Sequence, residues 1–163
     1  MKKLVTAAGL AILVWSMVVS PVTLLAATGD TSILGQVPES LSITTPGTFS
    51  LAELNPGNTT TSDVKTVTIT SNSSGWTLTV AESGGSKDGC MARTTDSHAL
   101  TYPIQVKGGD VTSYSSLANT VTLESSGNGT TTISDIYFQQ TVAASEYAGQ
   151  YSITVVFTVT AGA

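Results

Sequence analysis

Positive charge is what this chain has least of. Six Lys and Arg stand against 11 Asp and Glu, a formal net charge of −5. Lys2 and Lys3 open the chain, so only Lys65, Lys87, Arg93 and Lys107 serve the remainder. A surface this acidic has no electrostatic footprint for nucleic acid or anionic lipid. Charged residues of both signs reach only 10%, so stability has to come from apolar burial and strand ladders rather than from ion pairs.

Catalytic and metal-binding side chains are equally sparse. Cys90 is the single cysteine, which excludes an internal disulfide. It reads as a partly buried hydrophobe or a loop thiol, with an intermolecular bridge as the alternative. His98 is the single histidine, in the loop Thr95-Asp-Ser-His98. Zinc needs clustered His or Cys, and no nucleophile-elbow pattern surrounds any serine. Asp88 and Asp96 share a loop but lack the spacing of a calcium loop. The expectation is a non-enzymatic protein with no catalytic residue, no metal and no cofactor.

Long helical periods are missing too, and alternation takes their place. In Lys65-Thr-Val-Thr-Ile-Thr-Ser-Asn-Ser-Ser-Gly-Trp-Thr-Leu-Thr-Val80 two period-two runs flank an Asn/Ser/Gly turn. Val67, Ile69, Trp76, Leu78 and Val80 share one face and threonines the other, which predicts a β-hairpin with one buried side. Turn punctuation predicts nine strands: Thr31–Val37, Ser40–Thr45, Thr48–Leu54, Asp63–Ser71, Gly75–Glu82, Leu100–Lys107, Asn119–Glu124, Thr131–Val142 and Tyr151–Thr160. That pattern is all-β, an antiparallel β-sandwich, with a closed barrel as the lesser alternative. The last run puts Tyr151, Ile153, Val155, Phe157 and Val159 on one face. So apolar a strand is expected to be central or well covered, since an exposed one invites aggregation.

The start of the chain differs. Met1-Lys-Lys3 is followed by an uncharged apolar run from Leu4 to Ser20, then Pro21 and the small residues Ala26-Ala27. This is the pattern of a secretory signal cleaved near Ala27, with retention as an anchor the alternative. The domain plan is therefore a signal at 1–27 and one β-sandwich at 28–163. Some 136 residues remain, enough to bury roughly two-thirds of the unfolded surface. Stable membrane insertion after cleavage is not expected. Asn58-Thr-Thr, Asn72-Ser-Ser and Asn128-Gly-Thr match the glycan-acceptor triplet, but in so Ser/Thr-rich a chain such triplets arise by chance.

Trp76 is the one aromatic placed to stack on a sugar, although its alternation with Leu78 and Val80 favours the core. Gly75-Trp76-Thr77-Leu78-Thr79-Val80, after an alternating strand and an Asn/Ser/Gly turn, resembles the first Trp-x-Leu motif of the WxL domain of bacterial surface proteins. That family carries a second Trp-x-Leu on its final strand. Here the place is taken by Phe157-Thr158-Val159, preceded by Tyr151. The resemblance spans about Ser40 to Ala163. It implies an exported β domain attached non-covalently to cell-wall peptidoglycan, with Trp76, Leu78, Tyr151 and Phe157 as motif and candidate binding residues.

Two functions follow as expectations. The first is a secreted cell-surface binding or structural module whose partners are wall polysaccharide, peptidoglycan or other surface proteins. The second is a self-associating, pilus-like filament subunit that uses Thr31–Val37 as an N-terminal donor strand.

Overall fold

The computed structural model describes residues 31–84 and 87–162. The expected signal, 1–27, lies outside them. Two compact units divide the chain, 1–36 and 37–163. Of the first, residues 31–36 are described; they form no strand, and Ile33 and Leu34 are 93% and 94% exposed.

The second unit is an antiparallel β-sandwich with no helix among the described residues. Its strands are β1 (Leu41–Thr44), β2 (Thr59–Thr61), β3 (Lys65–Ser71), β4 (Trp76–Glu82), β5 (Ala92–Arg93), β6 (Gln105–Gly108), β7 (Val111–Ser116), β8 (Val121–Gly127), β9 (Thr131–Thr141), β10 (Tyr151–Ser152) and β11 (Val155–Ala161). One sheet runs β1-β3-β9-β6-β7, with β2 also on β9. The facing sheet runs β11-β4-β8, and β10 pairs β5.

Period-two side chains build the interior. Val67 and Ile69 of β3 and Ile133, Ile136 and Phe138 of β9 pack in one cluster with Trp76, Leu78 and Val80 of β4 and Leu123 of β8. Outward positions are largely hydroxylated. Thr68 and Thr132 meet across β3 and β9 at 3.2 Å, and Thr59 and Thr141 across β2 and β9 at 2.9 Å.

The predicted hairpin at 65–80 is corrected. β3 pairs with β1 and β9, whereas β4 pairs with β11 and β8, so the chain crosses between sheets at 72–75. The reason is the apolar content of both strands. A hairpin would lay both inward faces side by side in one sheet; the crossover lets them cover each other. Period two fixes which side chains point inward but not which sheet holds them. Asn72 secures the corner. Its Oδ1 accepts from the Ser40 N–H at 2.7 Å, and its amide donates to the Pro38 carbonyl at 2.9 Å.

Three further strand expectations change. Thr31–Val37 forms no strand, and no ladder includes these residues. Thr48–Leu54 is not a strand either, although Phe49, Leu51 and Leu54 keep their alternate contact with the core. The last run breaks at Ile153-Thr154, where the chain changes partners. Ser152 pairs Ala92 on β5, while Val155 pairs Glu82 on β4. Nor is β11 central: it is the edge of its sheet, and its side chains are only half-buried or exposed. The short strands β2, β5 and β7 were not among the expected nine.

Candidate functional site

The edge strands β1 and β11 lie against each other across the two sheets, and among the described residues neither has a further ladder partner. Their inward residues stay half-buried: Leu41 and Ile43 on β1, Val155, Phe157 and Val159 on β11. Beyond them the sandwich opens into a groove of about 1220 Å³. Segment 45–56 forms one wall, segment 146–157 the other, and the buried Met91, Leu100, Ile104, Phe138 and Val142 reach it from inside.

The walls differ in how they are held. Among the described residues, none within 45–54 makes a backbone–backbone hydrogen bond, and the one side-chain tie is from the Thr60 hydroxyl to the Glu53 carbonyl at 3.2 Å. Apolar packing does the rest. The Phe49 ring lies 5.3 Å from Phe138, under the Lys65 ammonium at 4.7 Å. Phe138 in turn meets Phe157 edge-on at 6.3 Å.

The opposite wall is fastened by polar groups. The Glu146 side chain is 5% exposed; it accepts from the Thr101 N–H at 2.6 Å and faces His98 Nε2 at 3.2 Å. Burial pushes the Glu146 carboxyl up, but the hydrogen bonds from Thr101 and His98 outweigh it and hold the group below its ordinary value. The Tyr151 hydroxyl donates to the Tyr147 carbonyl at 2.9 Å. Arg93 donates to the Ala148 carbonyl at 3.1 Å and pairs with Asp96, whose carboxyl its guanidinium draws down to about 2.

The motif residues separate into two places. Trp76 is 1% exposed and Leu78 fully buried. The indole donates to the Gly129 carbonyl at 2.9 Å, and its ring occupies the space where a side chain on Gly127 would sit. Tyr151 and Phe157 line the groove instead. The strands carrying the motifs are nonetheless neighbours, with Leu78 opposite Val159 and Val80 opposite Phe157. The groove's other wall, 45–56, was not foreseen as part of a site. Its Phe49, Leu51 alternation was legible, but not the absence of a ladder partner.

His98 and Asp96 come together through the backbone, with Asp96 Oδ1 accepting from the His98 N–H at 3.2 Å, while the imidazole faces Glu146. Among the described residues no three His, Cys, Asp or Glu side chains gather as a metal site. Cys90 is half-buried and unpaired; burial first, then Asp88, raises its thiol.

No family model matches the chain, and no curated protein matches it. Among solved structures, a similar chain comes from the one described as "Chaperone-tip adhesin complex is vital for synergistic activation of CFA/I fimbriae biogenesis". The TM-score is 0.42 at 16% identity, covering 76% of this chain and 42% of that one. The chain thus spans less than half the length of that neighbour.

Proposed function

We propose that this chain is an exported cell-surface structural subunit that associates with further copies of itself by strand addition. The observation that carries it is a match within one sequence. The groove offers an apolar interior beside a strand edge that has no ladder partner among the described residues, and residues 31–37 carry three large apolar side chains, Ile33, Leu34 and Val37, outside any strand. Ile33, Leu34 and Val37 are 93%, 94% and 83% exposed. Three large apolar side chains at that exposure within five residues are costly to leave in water; each contributes about 1.5–3 kcal/mol when fully buried. A strand laid along β11 would also satisfy the edge N–H and C=O groups.

The wall attachment that the WxL resemblance implies has to use another surface than the Trp76 indole, because that ring is sealed in the core. Sedimentation of the purified protein with isolated cell wall separates the two readings.

The experiment is to express the full chain with its own signal, purify the exported protein and measure its mass by light scattering across concentration. Association that is lost in the double variant Ile33→Asp/Leu34→Asp, at an unchanged melting temperature, is the expected result. A wild-type protein that stays monomeric at every concentration, and whose double variant behaves identically, overturns the proposal.

A further inference from the structure

We infer that segment 48–54 is a hinged strap that closes on the exposed edge of β11 and competes there with an incoming strand. The inference deepens the strand-addition reading above; it rests on that reading for the effect on association but not for the closure itself.

The strap has the pattern of a strand without a ladder. Phe49, Leu51 and Leu54 pack against the core, while Ser50, Ala52 and Glu53 are exposed. Apart from the Glu53 carbonyl, which accepts from Thr60, its backbone N–H and C=O groups are left to water among the described residues. Across the groove, Val155–Phe157 has the same deficit on its outer side, because β11 is a sheet edge and Val156 is 44% exposed. Two strand-capable backbones facing each other over apolar side chains satisfy both rows of polar groups by pairing.

Both ends of the strap are corners of one kind. Pro46-Gly47 precedes it and Pro56-Gly57 follows it, with the glycines at φ +69° and +81°. A Cβ on Gly47 would meet nothing within 4 Å, and one on Gly57 only the Ala144 Cβ at 4.0 Å. The corners are therefore free of close packing. Beyond them the chain is fixed: Thr44 pairs Thr68 on β3, and the Gly57 N–H donates to the Val142 carbonyl at 2.9 Å. Rotation at the two glycines, whose backbone freedom is wide, moves the strap and leaves the sheets in place.

The distance to cover is short. Phe138 stands between the walls, its ring 5.3 Å from Phe49 and 6.3 Å from Phe157. Those two outer rings are thus at most about 12 Å apart, and paired strands lie about 4.8 Å apart, so a swing of about 7 Å or less brings the strap to pairing distance. Little opposes it. The open position is held by the Phe49 ring on Phe138 beneath Lys65, and by the one bond from Thr60. A closed strap shields the edge in a free copy and has to open before a strand from a second copy lies there.

The test replaces Ser50 or Glu53 by proline, which cannot donate to a ladder. Neighbouring residues of an extended chain alternate in direction, so positions of opposite parity cover both edges of the strap. Neither N–H is bonded in the open form, so both variants should melt within about 2 °C of the parent. Amide hydrogen exchange is read first in the Ile33→Asp/Leu34→Asp background, where association plays no part. Strap amides and the outer amides of Val155–Phe157 should exchange about tenfold slower than unstructured chain, and one of the two prolines should abolish the slowing. Tenfold slowing means that about a tenth of the molecules are open, so in the otherwise unaltered chain the same proline should tighten association about tenfold. Strap amides that exchange at the unstructured rate, unaltered by either proline, overturn the closure whatever the association does. Slowing that a proline removes without any gain in association overturns the competition. Slowed amides in a protein that stays monomeric at every concentration, prolines included, overturn strand addition and leave the closure standing.

Discussion

Replacing Trp76 measures whether the indole is architecture or contact. The ring is 1% exposed and its Nε1 donates to the Gly129 carbonyl at 2.9 Å. A buried Trp removes about 200 Å² from water, which at about 25 cal/mol per Å² is about 5 kcal/mol. Truncation to Ala forfeits most of that and leaves a cavity between β4 and β8, so about 3–5 kcal/mol is the expected loss. A domain of this size has about 5–15 kcal/mol in all, so Trp76→Ala should melt far earlier or fail to accumulate. Trp76→Phe keeps a ring but strands the Gly129 acceptor, and should cost about 1–3 kcal/mol. The assay is urea unfolding followed by circular dichroism, so that the signal does not depend on the residue removed. A Trp76→Ala protein that unfolds within about 0.5 kcal/mol of wild type would refute the assignment and return the ring to the surface.

Three other outcomes follow from particular groups. Gly89 has φ +75°, and a Cβ there would meet the Leu117 backbone; Gly89→Ala should destabilise by about 1–3 kcal/mol, read by the same urea titration. Glu146 has a folded pKa below its ordinary 4.5, so its contribution is present above the unfolded value and is lost as pH falls through the depressed one. Melting temperature against pH should therefore drop below about pH 4.5 in wild type and run flatter in Glu146→Gln; parallel curves would refute the role. The Cys90 thiol, raised by burial and by Asp88, should alkylate slowly at pH 7 and faster above pH 9; fast labelling at pH 7 would refute it.

Much of this architecture was legible because alternation reports burial directly. Val67, Ile69, Trp76, Leu78 and Val80 were placed inward from period two alone, and all five are in the core. Which sheet each strand joins was not legible, because the 72–75 turn serves a hairpin and a crossover equally well until Asn72 is seen bonding to Ser40 and Pro38. The missed β7 did leave a signal. Gly109-Asp110, with Gly109 at φ +57°, turns β6 into β7 between the paired Gly108 and Val111, and a Gly-Asp pair between two such runs is a hairpin signal. Of the groove, Tyr151 and Phe157 were singled out by their resemblance to a motif, whereas Phe49, Leu51 and Leu54 read as an ordinary strand.

The final strand carries the larger lesson. Tyr151–Thr160 is so apolar that aggregation physics demanded a covered position, yet β11 is an edge with Val156 44% exposed. A sequence can answer that demand in two ways: cover the edge within the fold, or cover it with a strand from elsewhere. Edge strands that stay solvated are commonly blunted by charge or proline, and Val155–Ala161 contains neither. The same chain holds a segment, 31–37, that leaves Ile33, Leu34 and Val37 exposed and forms no strand. Two such liabilities cancel only when they meet.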